Sequence, residues 1–255
     1  MLCSTSPSQA TRNATVWMVI LLLALLAWIS TVQQSLGMPS VPGTMGMALG
    51  PFLVFWTIMM AAMMLPAFAP VVSMHLETSR QRTQGLFLVL RMGAFIVGYL
   101  FIWAAFGIPA FLLALLGKQL VNTAPQTAIG VGITLLVAAG FYQMAPLARQ
   151  CLTHCNLTLQ EHHCIPNARN PIQDVGTGLL HGVYCLGCCG GLMLILVAVG
   201  LMNLSWMIVI TLVVFLEKMW RYGKSLSFLV GVGLVVLGFL AAFHAGLIPG
   251  FYTVP

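Results

Sequence analysis

Seven long apolar runs separated by short polar stretches constrain this chain more than any other feature. Their approximate bounds are Val16–Val32, Phe52–Met74, Leu86–Leu116, Thr127–Ala145, Gly176–Met202, Leu204–Trp220 and Leu226–Leu247. Each is near the roughly 20 residues that a helix needs to cross a bilayer. The runs are continuous rather than alternating, which favours helices over a barrel, since a helix satisfies its own backbone in hydrocarbon. Only 5% of the residues are charged, against about a quarter in soluble domains. A soluble globular fold is excluded. The expected fold class is all-α: a polytopic transmembrane helix bundle of about seven spans, forming one integral membrane domain over residues 1–255. Pro66 and Pro70 are expected to bend or end the second run, and Pro109 to kink the third.

The basic residues set the orientation, because Lys and Arg concentrate on the cytoplasmic side. With a cytoplasmic N-terminus and seven crossings, Arg12, Arg80, Arg82, Arg91, Arg149, Arg169, Lys218, Arg221 and Lys224 lie on or near that side. Lys118 alone lies outside. This bias also explains the net charge of +6 without a nucleic-acid partner, since the basic residues are scattered. No Walker A loop or dinucleotide glycine pattern is present, so no bound nucleotide is expected. The first run is expected to stay as an anchor, because no small-x-small cleavage site follows it cleanly.

One hydrophilic insertion is sizeable. Residues 146–173 form a Cys/His-rich loop, expected in the cytoplasm, with Cys151, His154, Cys155, His162, His163 and Cys164. Thiols in that compartment are kept reduced and read as metal ligands or redox groups before disulfides.

The fifth run carries His181, Cys185, Cys188 and Cys189 inside an apolar segment. At 100° per residue the first three fall within roughly 60° of one another, and Cys189 widens the group to about 100°. All four can line one face. A single such Cys is a small hydrophobe, but three with a His point to a site. Gly178, Gly182, Gly187 and Gly191 form two small-xxx-small pairs that let other helices approach closely. Cys151-x3-Cys155 with Cys185-x2-Cys188 gives the two-plus-two thiolate spacing of zinc sites, and soft thiolates suit Cu(I) equally. His154 and Cys164 are further candidates in the loop.

Methionine tips the choice toward copper. The second run places Met59 with Met63, and Met60 with Met64, at i,i+4 spacing. Met63 is expected ~18 Å from the outer end of its span, at a depth comparable to Cys188 and Cys189. Met193, Met202 and Met207 would continue the series toward the outer face. Thioethers are soft neutral ligands for Cu(I), though methionine also simply fills core gaps. Glu217-Lys218 ends the sixth run and is expected to anchor it at the cytoplasmic interface.

Several stretches together resemble a bacterial family of integral membrane proteins described as predicted metal-binding, a domain without an assigned reaction. They are Trp56-x2-Met59-x-Ala61-Ala62-Met63-Met64-Leu65-Pro66, Ala139-Gly140-Phe141-Tyr142-Gln143-x2-Pro146-Leu147 leading to Cys151-Leu152-x2-Cys155, and His181-Gly182-x-Tyr184-Cys185-Leu186-Gly187-Cys188-Cys189. Met202-Asn203-Leu204-x-Trp206-Met207 and Glu217-Lys218 complete the set. The resemblance implies that the Cys, Met and Glu-Lys positions form one unit in a multi-pass protein of the bacterial inner membrane.

The function expected from these residues is binding of a soft metal, copper(I) first and zinc second, in metal transport or metalloenzyme assembly. The metal ligands expected are Cys151, Cys155, His181, Cys185, Cys188, Cys189 and Met63, with Met59, His154, Cys164 and Met193 as a second tier. The expected partners are the lipid bilayer, the metal ion, and a metallochaperone or metalloenzyme. Two other readings use the same residues: a membrane thiol–disulfide oxidoreductase on Cys185 and Cys188, and a scaffold stabilised by structural zinc. The cytoplasmic depth of that thiol pair argues against an oxidative enzyme.

Overall fold

The computed structural model describes residues 7–36, 43–44, 46–80, 83–155, 170–200 and 203–243. The described residues form eight helices and no strand. They are α1 (Pro7–Leu36), α2 (Leu49–Arg80), α3 (Leu86–Thr123), α4 (Pro125–Met144), α5 (Pro146–Cys155), α6 (Pro171–Val199), α7 (Leu204–Met219) and α8 (Gly223–Phe243). All seven apolar runs fold as helices. Six of them, α1, α2, α3, α4, α6 and α8, are long and apolar enough to cross a membrane. The 16 residues of α7 give a length of ~24 Å at 1.5 Å per residue, short of a ~30 Å hydrocarbon core.

The helix ends follow the local chemistry. Proline occupies the first turn of α4 and of α6, where its missing N–H costs nothing. The Asn203 side chain accepts from the Trp206 N–H to cap α7, and Gly200 leaves α6 at φ 111°, a backbone region open to glycine. Pro66 and Pro70 do not end α2, which continues as one helix to Arg80. With 67% of its central window buried, α2 lies at the middle of the bundle, where packing from all sides holds a helix together across lost backbone bonds.

The insertion at 146–173 departs from the expected loop. Its first ten residues are α5. Ala148, Leu152 and Cys155, spaced four and three apart, form its buried stripe, and the helix seats that stripe against α6. The hydrophilic average of the segment masks an amphipathic helix too short to stand out by periodicity. His162, His163, Cys164 and Met202 lie outside the described residues.

The tightest packing is between α3 and α6. A Cβ on Gly178 would overlap the Phe95 carbonyl, and one on Gly98 the Val175 carbonyl. The two backbones therefore touch, and the pairing is parallel, since further along both helices Gly182 meets Ile102. Gly187 faces Cys151 of α5 instead, and Gly191 faces Tyr142 of α4. Against α2 the direction reverses, since Phe68 meets His181 while His75 meets Asp174. α6 is thus surrounded by α2, α3, α4, α5 and α7, while leucines of α1 such as Leu22 and Leu25 cover an exposed apolar surface suited to lipid.

Candidate metal centre

Helical spacing builds the core of the site. Cys185, Cys188 and Cys189 are i, i+3 and i+4 on α6, so their side chains meet over one turn. Their three sulfurs lie within 4.8 Å of one another, and all three residues are buried. The Cys185 and Cys189 sulfurs are 3.8 Å apart. The Cys188 and Cys189 thiols donate to the Cys185 carbonyl at 3.1 and 2.9 Å. That back-bonding turns both sulfurs toward the N-terminal side, where Cys185 stands.

α5 adds a fourth thiol from outside the span. Cys155 is buried, and its thiol faces Cys188; that neighbour, with burial, pushes the Cys155 thiol well above its ordinary value. Cys151 packs lower on α6, with its sulfur beside the Gly187 α-carbon. Burial pushes its thiol up, and the neighbouring Cys188 adds to the effect. The two-plus-two arrangement of Cys151, Cys155, Cys185 and Cys188 is therefore redrawn. Cys155 does reach Cys188, but Cys189 rather than Cys151 completes the compact group.

His181 and His154 do not join that group. The His181 ring lies against Phe68, with centroids 5.2 Å apart, because one further turn along α6 brings it level with the α2 aromatics. His154 stacks on Tyr184 at 4.4 Å and 8°, and its Nδ1 is 3.0 Å from the Gln150 carbonyl oxygen. Met59, Met63 and Met193 are wholly buried. Continuing the α2–α6 register from Phe68/His181 and His75/Asp174 puts Met60 to Met64 level with Cys189 to Cys185.

Glu217 and Lys218 are not an interfacial anchor. They are 1% and 3% exposed, because α7 is short and ends among its neighbours. The Lys218 ammonium donates to the Cys185 sulfur at 2.8 Å. The Tyr99 hydroxyl lies 3.1 Å from the same sulfur, so Cys185 is bracketed by two polar groups from α7 and α3. Glu217 turns the other way, and its two carboxylate oxygens accept from the Gln143 amide at 3.0 and 3.1 Å. The signal for Lys218, Tyr99 and Gln143 lies in the sequence as polar side chains inside or at the end of apolar runs, which face the bundle interior.

A second polar cluster lies one stack of rings away. Asp174, in the first turn of α6, accepts from Arg91 Nε at 2.6 Å and Nη2 at 3.1 Å, and lies 2.9 Å from His75 Nε2. Arg91 had been expected as a flanking topological charge; it is buried instead. His75 stacks on Phe95, Phe95 on Phe68, and Phe68 on Tyr99, at centroid distances of 4.3, 5.2 and 3.9 Å. The rings separate the ion pair from the thiols with apolar material.

Chemically, the compact group offers sulfur donors alone, and soft donors favour soft ions such as Cu(I) over oxygen-seeking cations. Against known proteins, no curated protein and no solved structure matches the chain. A family model described as PpoB2, copper chaperone, matches residues 53–241. The match runs from α2 to α8 and includes every thiol of the site, so this chain belongs to the PpoB2 copper chaperone family.

Proposed function

We propose that the protein holds Cu(I) within the group formed by Cys185, Cys188 and Cys189 in the membrane and passes it to a copper-dependent enzyme or a soluble metallochaperone. The observation that carries this reading is the group of three buried sulfurs on one helical turn. Cys155 and Cys151 on α5 are the entry side: Cys155 lies beside Cys188 and Cys151 beside Gly187, so an ion arriving on α5 exchanges ligands without leaving sulfur. Met63, Met59 and Met193 continue the soft donors beyond the thiols. Stepwise exchange between thiolate and thioether keeps the ion coordinated throughout, which a low-dielectric interior demands.

Anaerobic purification in detergent followed by metal analysis tests the reading. About one equivalent of Cu(I) per chain is expected, lost in Cys188→Ser/Cys189→Ser while the fold is kept. Metal-free protein with a reversible Cys185–Cys188 disulfide would instead support the oxidoreductase. Inert zinc held by Cys151, Cys155, Cys185 and Cys188, and needed for folding, would support a scaffold. Copper release into proteoliposomes, or to an added apo-enzyme, separates transport from delivery.

A further inference from the structure

We propose that Lys218 is the built-in counter-charge of the loaded site, so that Cu(I) is carried as a two-thiolate unit made neutral by the Lys218 ammonium. The inference rests on the copper-holding reading above and names the residue that sets donor number. Lys218 is buried, and its ammonium is 2.8 Å from the Cys185 sulfur. The adjacent carboxylate, Glu217, is turned toward α4 and held by Gln143. The remaining ionisable groups around the sulfurs are Tyr99 of α3, Tyr142 of α4, His181 of α6, and Cys151 and Cys155 of α5. Lys218 is therefore the fixed cation in contact with the donor set.

Charge then decides coordination. A net charge in a low-dielectric interior is costly, and a buried ion persists only with a partner. With the buried Glu217 side chain protonated and so uncharged, one positive charge on Cu(I), two negative charges on two thiolates and one positive charge on Lys218 cancel. A third thiolate on Cu(I) would leave the unit negative. A divalent ion on two thiolates would leave it positive, and it reaches neutrality only by recruiting the third. Donor number should thus track ionic charge: two sulfurs for Cu(I), three for Zn(II).

The test uses the full chain in detergent, loaded anaerobically with Cu(I) or Zn(II). X-ray absorption on the wild type should show two sulfur neighbours around copper and three around zinc. Competition with a Cu(I) chelator should show Lys218→Met weakening retention by at least about a hundredfold, with Lys218→Arg within about tenfold of wild type. Adding Cys185→Ser to Lys218→Met should cost much less than the sum of the two single losses, because both remove one contact. Three or four sulfurs around copper in the wild type, or wild-type retention by a folded Lys218→Met, would overturn the inference while the copper-holding reading stands. A wild type that takes up no Cu(I) overturns both. Should Lys218→Met fail to fold, the wild-type sulfur count and Lys218→Arg decide.

Discussion

Asp174 is wholly buried between the Arg91 guanidinium and the His75 imidazole, and its two oxygens are shared between them. Removing one partner of such a pair leaves an uncompensated charge, whereas removing both can be close to neutral. Arg91→Leu should therefore destabilise the protein by about 3–5 kcal/mol. The double variant Arg91→Leu/Asp174→Leu should recover a large part of that loss. Thermal unfolding in detergent reads both, and a double-variant loss equal to the sum of the separate Arg91→Leu and Asp174→Leu losses would show that the pair does not couple. Lys218 obeys the same rule with sulfur in place of carboxylate. Placed 2.8 Å from Cys185, it makes one thiol of the cluster unlike the other two. The compact group thus divides into a paired Cys185 and two thiols, Cys188 and Cys189, that back-bond to its carbonyl.

At the scale of elements, α6 is the hub because its small residues let three neighbours in, α3, α4 and α5. Gly178 is the tightest point, since a Cβ there would strike the Phe95 carbonyl, a backbone atom that cannot swing aside. Gly178→Ala should cost about 1–3 kcal/mol or more through overpacking. Two residues earlier, a Cβ on Gly176 meets nothing, and Gly176→Ala should lie within about 0.5 kcal/mol of wild type. The pair makes an internally controlled unfolding experiment; equal effects would mean that helix propensity, not the α3 contact, governs both sites. α5 acts differently. It brings Cys155 beside Cys188 from outside the span, away from the α3–α6 contact.

At the scale of the whole molecule, parallel α3/α6 and antiparallel α2/α6 packing agrees with a chain that crosses back and forth in order. The charge bias sets its direction. Two of the nine residues assigned to the cytoplasmic side, Arg91 and Lys218, turn out to be buried and paired. They are no longer independent votes, but seven remain against Lys118, so the expected orientation keeps its basis. Reporter fusions after Ala124 and after Cys155, at opposite ends of α4 and its continuation α5, should report the outer and the cytoplasmic side respectively. Both reporters on one side would contradict α4 as a span, and reversed sides would contradict the charge reading.

The sequence by itself determined the class of fold and the nucleus of the site, because both are local. A span is a continuous apolar run, and three thiols at i, i+3 and i+4 meet on any helix, whatever surrounds it. Small residues on α6 likewise announced close neighbours before those neighbours were known. The ionic environment belongs to the tertiary structure alone. Lys218 reaches across 33 positions to Cys185, Arg91 across 83 to Asp174, and Tyr99 across 86 to Cys185. Such pairs depend on how each helix is rotated about its axis and how deep it sits. A charge that reads as an interfacial anchor in the sequence becomes a buried counter-ion once a short α7 ends inside the bundle. The single membership of Cys189 in place of Cys151 has the same cause: α5 folds as a helix, and its stripe of Ala148, Leu152 and Cys155 fixes which thiol faces the span.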